Sequence, residues 1–153
     1  MVQCIGKPDK EACYLDVLKT DPFTPYDEEL KEIKNINYMT LNRVSYPALK
    51  NEFEFQKMRL VEKNISRKIF HMISKDKVSR EKTKINNGDV IAFTTQDEGL
   101  DVAHTGFAIW QGKNLHLLHA SRKEGAVGIS EKTLVTYLKS NKNFTGLIIA
   151  RAI

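Results

Sequence analysis

Cysteine is nearly absent from this chain of 153 residues, which holds only Cys4 and Cys13. Two thiols cannot build a disulfide framework, and their spacing matches no metal-ligand pattern. They can pair, or one can serve as a nucleophile. Long apolar runs are missing too. No stretch approaches the roughly 18 residues of a membrane-spanning helix. The opening MVQCIGKPDKEAC lacks the apolar core of a secretory leader, so any leader is expected to be absent from this chain. Charge of one sign is not dominant: 24 basic and 19 acidic residues leave +5. That excess favours anionic partners without selecting one. The lysines are scattered, with no helix-turn-helix, RNA-binding signature or basic stripe with interleaved aromatics, so no nucleic-acid partner is expected.

What remains is ordinary for a globular protein. Hydrophobic residues make up 41% and charged residues 28%, and the length suits a single domain over 1–153. Residues 1–35 are the least readable part. Asp9 can cap a short helix over Lys10 to Lys19, which would put Cys13 in its first turns, where the helix dipole favours thiolate. A small buried hydrophobe is the equal reading of that cysteine. Pro22 and Pro25 then interrupt, and Asp27 to Lys34 reads as another short helix.

From Ser45 the pattern sharpens. Pro47 suits a first turn, and Leu49, Phe53, Val61, Ile65 and Ile69 recur at multiples of four. This predicts an amphipathic helix over 47–72 with one stripe on a core and His71 near its C-terminal end. Lys75 to Lys84 is polar and reads as a linker. Asn86-Asn87-Gly88 is a turn signal, followed by strands Val90 to Phe93, Val102 to Trp110, Leu115 to Ala120 and Ala126 to Ile129. Ser130 is placed to cap a helix ending near Ser140, with Leu134, Tyr137 and Leu138 inward. Gly146 precedes a last strand, Leu147 to Ile153. Helices first and strands after predict an α+β fold with N-terminal helices packed on an antiparallel sheet of about five strands.

The histidines carry the functional question. A two-residue Gly112-Lys113 turn pairs Gln111 with Asn114, so paired residue numbers sum to about 225, as in any such hairpin. His104 then opposes Ser121 and Gly106 opposes His119. This puts His104 and His119 on one sheet face as diagonal neighbours, about 7–8 Å apart at the backbone. Gly106 would leave open space facing His119, and His116 must point the other way. Such a pair can bind a metal with further ligands, sit as hydrogen-bonded core residues, or act as base and orienter of a nucleophilic cysteine. No HExxH or CxxC spacing supports the metal, and none is expected.

The residues HTGFAIWQGKNLHLLHAS followed by AVGIS resemble the second half of the NlpC-type cell-wall hydrolases. There a strand opens with His-x-Gly, a hairpin returns to His-Ala-Ser, and a small-residue strand ends before Ser. His104-Thr105-Gly106, His119-Ala120-Ser121 and Val127 to Ser130 match, as does Gly88-Asp89-Val90-Ile91 before them. INYMTLNRVSYPALK, NGDVIAFTT and GLDVAHTGFAI are similar more narrowly to the N-acetylmuramoyl-L-alanine amidase-like branch. The match covers about residues 36–151.

The resemblance implies a papain-like fold, no cofactor, and cleavage of an amide bond in bacterial peptidoglycan, either sugar–peptide or within the stem peptide. It also implies action in the cell envelope or outside the cell. His104 would be the general base and His119 its orienter. The family's Asp-Cys-x-x-Phe-Val-like nucleophile segment has no counterpart here. Cys13, in Glu11-Ala12-Cys13-Tyr14-Leu15, is the stand-in, ahead of Cys4. Three states stay open: Cys13 as a divergent nucleophile, a chain that is a piece of a longer one, or a non-catalytic module that binds peptidoglycan fragments or a protein partner.

Overall fold

The computed structural model describes residues 31–33, 35–67 and 69–151. Among them are a short strand β1 (Lys31–Ile33), a single-turn helix α1 (Tyr38–Leu41) and the long helix α2 (Glu52–Ser66). Strands β2 (Ile69–His71) and β3 (Ile73–Ser74) come next, with a helical turn α3 (Val78–Glu81) after them. The rest is β4 (Val90–Thr95), β5 (His104–Gln111), β6 (Asn114–Ser121), β7 (Ala126–Ile129), α4 (Leu134–Ser140) and β8 (Phe144–Ala150). β1 and β2 form a two-stranded ribbon. The other strands form one antiparallel sheet in the order β3-β8-β4-β5-β6-β7. The class is α+β as expected, but the sheet has six strands rather than about five. The extra one is β3, two residues on the outer edge of β8, too short to leave an alternating pattern.

Several boundaries move for physical reasons. The helix expected over 47–72 is a 3-10 turn at Pro47–Lys50 followed by α2. The break falls at Asn51, whose side-chain oxygen accepts from the N–H groups of Phe53 and Glu54 and so caps α2 itself. His71 lies in a strand, not at a helix end. The expected apolar stripe is not what α2 buries. Phe53 and Val61 are exposed, while Glu62 is buried. Its carboxylate accepts from the backbone N–H of Met39 and Thr40 and from the Thr40 hydroxyl. Those are donors of the first turn of α1 that would otherwise lack partners. Asp101 takes the neighbouring N–H groups of Asn37 and Tyr38.

The helix expected over Asp27 to Lys34 gives way to β1 at Lys31–Ile33; its remainder, like the helix expected over Lys10 to Lys19, lies outside the described residues. The supposed linker Lys75 to Lys84 carries Val78, which with Ile85 just beyond it is fully buried. Thr133, not Ser130, caps α4, through the Thr136 N–H. Ser130 instead uses its hydroxyl to accept from Leu117 N–H and donate to the Lys132 carbonyl.

The core lies on one face of the sheet. Ile91, Phe93, Ala108, Leu115, Leu117, Leu147 and Ile149 meet Leu134 and Leu138 of α4 there. By the area rule, a fully buried leucine contributes about 1.5–3 kcal/mol. At the far end of this face the leucine layer gives way to histidine and aromatic rings.

Candidate active site

The β5–β6 hairpin sets the geometry. Gly112 has φ +59°, a left-handed conformation that glycine adopts without a Cβ penalty. The two-residue turn yields the register Gln111↔Asn114 through Phe107↔Leu118. Continued along the strands, it puts His104 and His119 diagonally on the core face. Their rings meet: His104 Nε2 and His119 Nδ1 lie 2.7 Å apart, a hydrogen bond between imidazoles. The ring planes are at 85° and the centroids 5.0 Å apart.

Gly106 departs from expectation. It leaves no open space, because a Cβ built there would lie 2.7 Å from Leu117 Cδ1 and 2.8 Å from the Leu118 carbonyl oxygen. The missing side chain lets the β6 backbone and Leu117 close in, which tightens the hairpin that carries both histidines. His116 takes the opposite face of β6. There its Nδ1 is 2.8 Å from the Ser130 carbonyl, so that nitrogen holds a proton and donates it.

Tyr137 of α4 completes the surroundings of the pair. It stacks on His104 at a centroid distance of 6.0 Å and 28° between planes, and meets His119 edge-on at 5.3 Å and 80°. Phe93 lies 6.0 Å from His104 and 5.4 Å from Tyr137, and Phe144 backs both aromatic rings. This enclosure has electrostatic consequences. Burial first, and then the neighbouring His119, hold the His104 imidazole below its ordinary value of 6.5. Burial first, and then Glu124, push the Tyr137 phenol up.

The bond to His119 occupies His104 Nε2. If Nε2 carries the shared proton, Nδ1 holds the free lone pair and can accept a proton from a nucleophile. The contact thus joins the two rings through one nitrogen of each. Among the described residues no group of three or more His, Cys, Asp or Glu side chains could hold a metal ion. Nor is any described helix long and apolar enough to cross a membrane. Cys13 and Cys4 lie outside the described residues. Of the sequence-predicted site, His104 and His119 come together. Tyr137 and Phe93 were legible only as core, since an inward i, i+3, i+4 face on α4 does not tell which side chains it meets.

The family model for AmiA-like, N-acetylmuramoyl-L-alanine amidase-like proteins matches residues 25–147. This chain belongs to that family. Solved structures are similar over most of this chain. A Bacteroides fragilis protein provisionally named a xylanase is 39% identical, with a TM-score of 0.67 over 86% of this chain and 56% of its own. An N-acetylmuramoyl-L-alanine amidase from Bacteroides uniformis is similar in two crystal structures. One is 34% identical with a TM-score of 0.67, covering 84% of this chain and 56% of that one. The other is 36% identical with a TM-score of 0.64, covering 79% and 52%. The chain therefore spans little more than half the length of these relatives. No curated protein matches it.

Proposed function

We propose that this amidase-like chain carries the histidine half of a papain-like, NlpC-type cysteine amidase site acting on peptidoglycan, in the cell envelope or outside the cell. The bond is the amide between N-acetylmuramic acid and L-alanine, as the names of the family and of the Bacteroides uniformis relative suggest. The observation that carries the proposal is the 2.7 Å His104–His119 contact, made through His104 Nε2. In this reading Cys13 Sγ gives its proton to His104 Nδ1 and attacks the amide carbonyl. The tetrahedral intermediate collapses to a thioester as His104 returns the proton to the leaving alanine nitrogen. Water, deprotonated by the same imidazole, then releases the lactyl carboxylate and the free thiol. His119 accepts from His104 Nε2–H throughout and so keeps Nδ1 aimed. No cofactor enters these steps.

Hydrolysis of a muropeptide by the wild type, Cys13→Ala and His104→Ala tests this. Cys13→Ala is expected to abolish turnover, and His104→Ala to lower it by about 10²–10⁴-fold. Wild-type rates in the Cys13 variant would remove the cysteine assignment. Muropeptide binding without turnover by the wild type would give the non-catalytic module, the reading favoured by the unmatched nucleophile segment.

A further inference from the structure

We propose that the Tyr137 ring is a positioning residue that fixes both imidazoles of the pair at once. The proposal deepens the reading of the same site and adds a residue that neither the motif resemblance nor the register arithmetic supplies. A hydrogen bond between two imidazoles fixes the separation of two nitrogens but leaves each ring able to turn about its own side-chain torsions. Two rings 85° apart need a surface that constrains both. Tyr137 provides it, with its face against His104 and the His119 ring meeting it edge-on. Aromatic pairs prefer these offset-stacked and edge-to-face arrangements.

Tyr137 is itself held from behind. Leu134, three residues before it, and Leu138, the residue after it, are fully buried. Tyr137 N–H donates to the Thr133 carbonyl at 2.8 Å within the capped first turn of α4. Phe93 and Phe144 pack against the ring at 5.4 and 6.4 Å. The segment leading into α4 is tied to β6, the strand that carries His119. Ser130 N–H donates to the Leu117 carbonyl at 2.8 Å, and Leu117 N–H returns to Ser130 Oγ at 3.1 Å. His116 adds its own bond to the Ser130 carbonyl on the opposite face. Motion of α4 against β6 is thereby restricted, and Tyr137 transmits that rigidity to the two rings. Among the described residues, the ionisable groups around His104 are His119 from β6 and Tyr137 from α4, with Glu124 of the β6–β7 turn acting on Tyr137.

The test is a nuclear magnetic resonance titration of the imidazoles in the full chain, run beside muropeptide hydrolysis. Tyr137→Leu keeps apolar volume but removes the flat ring, and Tyr137→Phe keeps the ring without the hydroxyl. Tyr137→Leu is expected to move His104 titration upward towards 6.5. It should also broaden or remove the proton resonance of the shared hydrogen bond, and lower kcat by about 10–100-fold with KM little changed. Tyr137→Phe is expected to recover the wild-type titration curves and most of the rate. Unchanged His104 titration in a folded Tyr137→Leu protein overturns the proposal, as does failure of Tyr137→Phe to recover it, which would assign the effect to the hydroxyl. Titration needs no substrate, so a wild type that cleaves no muropeptide would end the amidase reading while leaving Tyr137 tested.

Discussion

At the scale of the residue, burial biases His104 towards its neutral form. Its folded-state value is lowered by burial and then by His119, so the unfolded chain binds its proton more readily than the native one. The sign follows from linkage: native stability is penalised at low pH and recovers as pH rises from the lowered folded value to 6.5, the ordinary value. Above 6.5 this contribution is flat. Chemical denaturation at stepped pH is expected to show that rise, and His104→Gln, which cannot titrate, is expected to flatten it. A His104→Gln protein with the wild-type slope across that window would show that another group is responsible. For the proposed chemistry the same lowering is useful, because a base must be unprotonated at working pH to accept a thiol proton.

At the scale of the element, the β5–β6 hairpin depends on an absent side chain. Gly106→Ala must move either Leu117 or the β6 backbone, since the added carbon falls 2.8 Å from the Leu118 carbonyl oxygen. Overpacking of this kind costs about 1–3 kcal/mol, which thermal unfolding would register as a lower Tm. The His104 resonances should shift with it; an unchanged Tm and an unchanged spectrum would mean the hairpin has slack. This hairpin was also the most legible element, because a Gly-containing two-residue turn specifies register, and register specifies which side chains share a face. The occupant of the space beside Gly106 was not legible, since strand pairing says nothing of how a neighbouring leucine rotates. α2 was misread for a related reason. Periodicity marks a possible apolar face, yet Phe53 and Val61 stay exposed while Glu62 turns inward to serve the donors of α1. Tyr137 was legible as inward-facing, but its contacts with the histidines were not, because these partners come from strands 18 and 33 residues upstream, by the numbering of His119 and His104.

At the scale of the whole molecule, the centre of the sheet is closed by an ion pair far from the histidines. Asp89, 2% exposed, opens β4, and Arg151 follows β8, the neighbouring strand. Arg151 Nε and Nη2 donate to the two carboxylate oxygens at 2.8 and 2.9 Å, and Asn86 N–H adds a third bond at 2.7 Å. Arg151→Leu would leave the carboxylate buried without its counter-charge. Breaking such pairs costs about 3–5 kcal/mol, and the lower end is expected because the Arg151 side chain is 28% exposed. Asp89→Asn should cost less, since it removes the charge while keeping an acceptor for Asn86 N–H. The double variant should then be more stable than the sum of the single losses by about 1–3 kcal/mol, measured from denaturant midpoints. Additivity within about 0.5 kcal/mol would mean that the two groups act independently. Phe93, the β4 residue paired with His104, lies four positions along the strand from Asp89, roughly 13 Å at strand rise. The His104 titration should therefore stay at its wild-type position in all three variants, separating what holds the sheet together from what aims the histidines.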